Sequence, residues 1–98
     1  MAIKTKPWDA ASQLDTPARI ALYLEAAVED GDPALIAAAI GDAARAYGMT
    51  RLANDTGLAR EALYRSLSED GNPEITTVLK VLGVFGLRLS AVESEAAA

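Results

Sequence analysis

Apolar residues recur every three or four positions along most of this chain, which predicts a set of short amphipathic helices. The pattern gives one helix over residues 17 to about 29, a second over residues 33–47, and a third that begins at Asn72-Pro73. Thr16 and Asp32 each stand directly before a proline, as a helix cap stands before the first helical residue. The residues expected to face inward are Ile20, Leu24, Ala27 and Val28 in the first helix, Leu35, Ile36, Ala39, Ile40, Ala43 and Tyr47 in the second, and Ile75, Val78, Leu79, Leu82 and Phe85 in the third.

Residues 49–68 combine two shorter helical segments, about 50–56 and 59–67, with Gly57 between them. A glycine at this joint lets the chain turn sharply, because it adopts positive φ at little cost. Small and apolar residues on either side of the turn would hold the two helices at a steep angle, which is the pattern of a helix-turn-helix. The residues expected to point outward from the second helix are Arg60, Glu61, Tyr64 and Arg65, which suit contact with phosphates and base edges.

The last part of the domain has two interpretations. Residues 87–90 alternate apolar and polar residues, which is typical of a short strand. A single strand leaves its backbone unpaired, so a second copy of the chain or another protein would have to pair with it. The other interpretation is an extended tail with Leu87 and Leu89 packed into the core.

Together these patterns predict one all-α domain of five to six helices over residues 8–91, including a short helix over residues 8–14 in which Trp8 and Leu14 pack on the body. Residues 1–7 are expected to be a flexible arm and residues 92–98 a flexible tail.

Composition removes several classes of function. The 98 residues contain neither cysteine nor histidine, which excludes disulfides, thiolate metal sites and the usual general base. The clustered carboxylates at Asp30 and Asp32 are explained by turn and cap chemistry and lack the other ligands of a calcium loop. We therefore expect no catalysis, no cofactor and no metal. No apolar run approaches a membrane span and no signal peptide is apparent, which predicts a cytoplasmic protein that makes no contact with the membrane.

The net charge of −5, taken alone, argues against binding nucleic acid. Residues 45–67 nevertheless carry four arginines against Asp55 and Glu61, a local charge of +2. Phosphates respond to this nearby field, because more distant charge is screened over about 10 Å. A homodimer would add two weak half-sites together.

Several motifs follow one another between Trp8 and Leu89. They are Tyr23-Leu24-Glu25-Ala26-Ala27, Gly31-Asp32-Pro33, Gly48-Met49-Thr50, Thr56-Gly57-Leu58, Arg60-Glu61, Leu63-Tyr64 and Asn72-Pro73. In their order and spacing they resemble the addiction-module antidote proteins, HigA-like antitoxins with an Xre/Cro-type helix-turn-helix. This resemblance implies a lambda-repressor-like DNA-binding domain that dimerises, a cognate toxin of the RelE/ParE class, and transcriptional repression of the operon that toxin and antidote share.

The resemblance also implies a set of residues that contact the double-stranded operator DNA, namely Thr50, Arg51, Ala59, Arg60, Glu61, Tyr64 and Arg65. Two positions depart from the wider superfamily. A phosphate-binding glutamine often opens the first helix of the motif, where this chain has Met49-Thr50, so that Thr50 or Arg51 would contact the phosphate instead. A polar cap often opens the recognition helix, where this chain has Ala59.

Four of these seven residues also have an interpretation that does not involve DNA. Arg60 and Arg65 suit a solvated surface, Glu61 suits an ion pair that orients Arg65, and Tyr64 suits the edge of the core. The competing function is a protein-interaction module that binds a toxin without specific DNA binding. In either case the acidic first half of the chain, with Glu25, Glu29 and Asp42, is a candidate surface for a basic toxin.

Overall fold

The computed structural model describes residues 14–94, which form five α-helices and no strand. In chain order the helices are α1 (Pro17–Asp30), α2 (Pro33–Tyr47), α3 (Met49–Thr56), α4 (Arg60–Ser66) and α5 (Ile75–Val84). The all-helical prediction is confirmed for this part of the chain. The predicted helix over residues 8–14 and the arm over residues 1–7 lie outside the described residues, apart from Leu14, which is buried in the core as predicted.

The caps that the sequence predicts at the start of α1 and α2 are present. Thr16 Oγ1 accepts a hydrogen bond from the Arg19 amide at 3.2 Å, and Asp32 Oδ1 accepts one from the Ala34 amide at 3.0 Å. Between the two helices Gly31 has a φ of 85°, and its amide donates to the Ala27 carbonyl at 3.1 Å. Local chemistry therefore defines both ends of the loop, and α1 packs against α2.

One core cluster joins all five helices. Its buried members are Leu14, Ile20, Leu24, Ala27, Ala39, Ile40, Ala43, Ala44, Met49, Leu52, Leu63, Leu67, Val81, Leu82 and Phe85. In α1 and α2, two residues predicted to face inward do not, since Val28 is 56% exposed and Leu35 is 44% exposed. The position of Val28 explains its exposure: eight residues after Ile20, it lies about 80° around the helix from that residue.

The start of α5 differs from the prediction. The helix begins at Ile75, two residues beyond the predicted Asn72-Pro73 start, and its N-cap residue Glu74 makes no side-chain capping bond. The side of α5 that faces the core also differs, because Val81 is fully buried although the predicted stripe omitted it. Ile75 and Leu79, which were predicted to be buried, are instead exposed.

The strand predicted at residues 87–90 is not formed within this chain, where these residues have no regular secondary structure. The Leu87 amide donates to the Leu82 carbonyl at 2.8 Å, and the Leu87 side chain is half-buried against the core. Leu89 is 50% exposed, so the extended-tail interpretation is correct for Leu87 and wrong for Leu89. Across residues 14–94, no helix has the length and apolar character needed to cross a membrane.

Candidate nucleic-acid interface

Helices α3 and α4 are joined by a three-residue turn that follows the predicted pattern. Gly57 has a φ of 77°, and its amide donates to the Ala53 carbonyl at 2.9 Å. Thr56 also organises the turn, a role the sequence analysis missed. Its hydroxyl donates to the Leu52 carbonyl at 2.7 Å and accepts from the Leu58 amide at 3.2 Å. The signal was present in the sequence, because a threonine hydroxyl beside a helix-ending glycine often bonds to nearby backbone.

The inner side of α4 packs against the core. Leu63 and Leu67 are almost completely buried, and Leu52 on α3 is completely buried. Gly41 on α2 lies so close to the end of α4 that a Cβ atom there would be 2.1 Å from the Leu67 carbonyl oxygen. Glycine is therefore required at position 41 of α2, and this close approach fixes the position of α4 relative to α2.

The outer side of α4 carries the side chains that the sequence predicts there, since Arg60, Glu61, Tyr64 and Arg65 are all exposed. The guanidinium carbon of Arg60 lies 5.3 Å from the centre of the Tyr64 ring, within the range of a cation–π contact. Glu61 does not form the expected ion pair with Arg65, and no other ion pair involves Arg65 in residues 14–94. Arg65 therefore presents an uncompensated charge at the surface.

On α3 the exposed Arg51 is supported by a tyrosine. Its guanidinium carbon lies 4.2 Å from the centre of the Tyr47 ring. The Tyr47 hydroxyl donates to Asp55 Oδ2, and this hydrogen bond raises the pKa of Tyr47 above its usual value. The other contact of the ring is edge-on with Phe85, at 5.9 Å between ring centres. Tyr47, predicted only as a core residue, thus positions one of the candidate DNA-contacting arginines.

The two departures noted in the sequence have clear structural forms. At Met49-Thr50, the place of the superfamily glutamine, Met49 is 5% exposed and belongs to the core, whereas Thr50 and the following Arg51 are exposed. Ala59 occupies the N-cap position of α4 with extended backbone (φ −69°, ψ 133°), and α4 has no side-chain capping bond. The exposed polar groups at the start of α3 are therefore those of Thr50 and Arg51, beside the outer residues of α4.

Arg45 belongs to a separate cluster between α1 and α2. Its guanidinium forms an ion pair with Asp42 at 2.9 Å, and the same carboxylate accepts a hydrogen bond from the Tyr23 hydroxyl at 2.6 Å. Burial and this hydrogen bond raise the pKa of Tyr23 to about 12. The candidate interface therefore has three arginines, at positions 51, 60 and 65, rather than the four counted in the sequence.

The chain is similar to known proteins over nearly its whole length. The model of a family described as "Probable addiction module antidote protein" matches residues 4–93. An uncharacterized protein of Haemophilus influenzae (strain Rd) is 38% identical over 94 residues, which cover 96% of this chain and 97% of that protein. No solved structure matches the chain.

Proposed function

Because the chain belongs to the family of probable addiction module antidote proteins, we propose that it is the antitoxin of a type II toxin–antitoxin module. Membership of an antidote family implies a partner toxin, and proteins of such families are generally not enzymes. In this role the chain binds double-stranded operator DNA as a homodimer and represses its own operon. Its toxin is of the RelE/ParE type, and its helical domain is lambda-repressor-like.

The observation that carries the DNA-binding proposal is the outer surface of α3 and α4. It presents Arg51, Arg60 and Arg65 on two helices joined by a tight turn. In a helix-turn-helix the second helix enters the major groove, where arginine recognises guanine through two hydrogen bonds. We assign Arg60 and Arg65 to this role and Thr50 and Arg51 to phosphate contact. Glu61 and Tyr64 lie beside them on α4, and Ala59 is positioned for an apolar contact with a thymine methyl.

The test is binding of the pure protein to DNA from upstream of its own gene, by fluorescence anisotropy across a series of salt concentrations. Wild type is compared with Arg60→Ala and Arg65→Ala. Each substitution is expected to weaken specific binding by about 1–3 kcal/mol, because each removes contacts to a base edge. Arg19→Ala is the matched control, since Arg19 is an exposed arginine on α1 whose side chain pairs with Asp15.

Arg51→Ala distinguishes phosphate contact from base contact. This substitution is expected to weaken binding to operator and unrelated DNA alike, and to lower the slope of log affinity against log salt by about one phosphate contact.

The assignment of α4 as the recognition helix would be contradicted if the protein binds its operator specifically and neither Arg60→Ala nor Arg65→Ala weakens that binding.

A second function, binding the toxin without specific DNA binding, is favoured by the net charge of −5 and by the absence of the superfamily glutamine at Met49-Thr50. The same titration decides between the two. Absence of salt-dependent binding to any upstream fragment, together with tight binding of the toxin encoded beside this gene, would establish the toxin-binding module instead.

A further inference from the structure

One side of α5 is apolar and uncovered. Ile75 is 60% exposed and Leu79 is 48% exposed, although both are large aliphatic residues. Gly83, one turn further on, is also exposed, and a Cβ atom placed on it would meet no other atom within 4 Å. Residues four apart are neighbours on a helix surface, displaced by about 40° around its axis. The three positions therefore form one oblique stripe, which turns by about 80° from the protruding Ile75 to the gap at Gly83, so that two copies of α5 must cross at an angle for their stripes to overlie.

The spacing of this stripe is symmetric about its centre. With a rise of about 1.5 Å per residue, Ile75 and Gly83 each lie about 6 Å along the helix axis from Leu79. If two copies of α5 run antiparallel across a two-fold axis at Leu79, Ile75 of each copy faces Gly83 of the other. A contact between two identical surfaces must be self-complementary in this way. This symmetry identifies a second copy of the chain as the occupant that fits best.

Charge points to the same occupant. Two chains of net charge −5 repel each other, and the 14 acidic residues are spread over most of the sequence. Residues 75–92 contain no acidic residue and two basic ones, Lys80 and Arg88. The surface of α5 therefore allows two copies to approach without bringing carboxylates together.

A stable dimer needs more surface than α5 alone provides. A standard interface buries about 800 Å² on each partner, which is more than one side of the ten-residue helix supplies. The segment that follows α5 adds apolar surface, because Leu89 is 50% exposed and Val92 is 87% exposed. The chain turns at Gly86, and the proposed interface includes the segment beyond this turn as well as α5.

We propose that α5 is the surface through which two copies of this chain associate, antiparallel, with Leu79 on the two-fold axis and Ile75 of each protomer packed over Gly83 of its partner. The proposal rests on the homodimer included in the proposed function and specifies its interface and register. Its tests use the protein alone, without DNA or toxin, and so they fail or succeed independently of operator binding and of toxin neutralisation.

Cysteine cross-linking tests the register, and the chain suits it because it contains no natural cysteine. Under mild oxidation, Leu79→Cys is expected to form a disulfide-linked dimer, because the two side chains meet at the axis within the Cβ–Cβ distance of about 4 Å that a disulfide needs. An equal mixture of Ile75→Cys and Gly83→Cys should cross-link more than either variant alone. The control is Leu22→Cys, since Leu22 is a leucine on α1 with a higher exposure of 67%. Cross-linking at position 22 equal to that at position 79 would overturn the proposal.

Association without cross-linking is measured by analytical ultracentrifugation. Leu79→Lys and Gly83→Leu are each expected to raise the dimer dissociation constant by about tenfold or more, since the first places a charge at the centre of the interface and the second fills the gap. Leu22→Lys should leave it unchanged, and circular dichroism confirms that each variant is folded. A wild-type protein that stays monomeric at 100-fold the concentration used for DNA binding, or a dimer unaffected by both substitutions, would overturn the proposal.

Discussion

At the scale of single residues, two contacts control how the helices of this protein meet. Gly41 allows the backbone of α2 to touch the carbonyl of Leu67 at the end of α4, where any side chain would overlap that oxygen. Tyr23 joins α1 to α2 through its hydrogen bond with Asp42, in a half-buried setting. The first contact depends on the absence of a side chain at position 41, and the second depends on the hydroxyl proton of Tyr23. A substitution tests the first and a change of pH tests the second.

Replacing Gly41 by alanine should destabilise the fold. The added Cβ would lie 2.1 Å from a backbone oxygen that cannot turn away, so that α2 and α4 must separate. We expect a loss of about 1–3 kcal/mol in the free energy of unfolding, the usual cost of overpacking, measured by urea denaturation.

Gly83→Ala is the matched control, because it is also a helical glycine but has open space around it. At a protein concentration too low for association, this variant should be as stable as wild type or up to about 1 kcal/mol more stable, since alanine favours the helix over glycine. Equal losses at positions 41 and 83 would contradict the close-approach argument.

The Tyr23–Asp42 contact predicts how stability depends on alkaline pH. The pKa of Tyr23 is raised from 10.0 to about 12 in the folded state. The stabilisation that this neutral phenol provides is therefore complete below pH 10, and is lost as the pH rises from about 10 to about 12, where the unfolded chain releases the proton first. Tyr23→Phe lacks this dependence.

Between pH 8 and pH 12, wild type should lose about 1–2 kcal/mol of unfolding free energy relative to Tyr23→Phe, as judged by urea denaturation at each pH. Since both proteins keep Tyr47, its own raised pKa does not enter the difference. Parallel pH profiles for the two proteins would show that Tyr23 carries no such linkage.

At the scale of helices, local signals explain which boundaries the sequence predicts correctly. Thr16 and Asp32 cap α1 and α2 with their side chains, so a short stretch of sequence is sufficient to place both starts. Asn72-Pro73 has a similar local pattern but is not a helix start. The chain there is bent close to the end of α4, where a Cβ on Gly71 would lie 2.1 Å from the Ser66 carbonyl oxygen. This contact joins residues five apart and belongs to the tight turn after α4, which the capping pattern of Asn72-Pro73 by itself does not specify.

The same distinction applies to the candidate interface. The exposure of Arg60 and Arg65 follows from helical periodicity alone, once Leu63 and Leu67 are assigned to the core. The contact of the Arg51 guanidinium with the Tyr47 ring does not follow from periodicity, because the two residues belong to different helices separated by Gly48. Their contact depends on the angle between α2 and α3, which periodicity within either helix does not specify.

The uncapped start of α4 gives a prediction for this helix. Ala59 already has the extended backbone of an N-cap residue but offers no oxygen to the free amides of the first turn. Ala59→Ser should therefore stabilise the protein by about 1 kcal/mol, seen as a higher melting temperature. Ala62→Ser, within the same helix, is the control and should give no gain. If both substitutions had the same effect, the missing cap would not limit the stability of α4.

At the scale of the whole molecule, charge is divided between different helices. The outward side of α3 and α4 carries Arg51, Arg60 and Arg65, whereas Glu25 and Glu29 are exposed on α1. Leu22, also on α1, lies one turn before Glu25 and is 67% exposed. An apolar residue next to exposed carboxylates suits a partner with a basic surface, which we expect of a toxin that acts on RNA.

Reversing the charge of Glu25 and Glu29 to lysine should weaken toxin binding by about tenfold and reduce its association rate at low salt, as measured by surface plasmon resonance. Asp42 is left unchanged, because it pairs with Tyr23 and Arg45 and its loss would disturb the fold. Glu69→Lys with Asp70→Lys, in the turn after α4, makes the same change in net charge elsewhere. Equal weakening in the two double variants would indicate a non-specific effect of charge.

The ring of Tyr47 contacts both Arg51 and Phe85, the residue that ends α5. Arg51, which we propose binds a phosphate, is therefore connected through one ring to the helix along which we propose that a second protomer binds. Linkage is reciprocal: if dimerisation raises the affinity for DNA by some factor, DNA binding raises the affinity between the protomers by the same factor. Such a repressor would respond steeply to its own concentration. Transcription of its operon would then change from active to repressed over a narrow range of free antitoxin concentration.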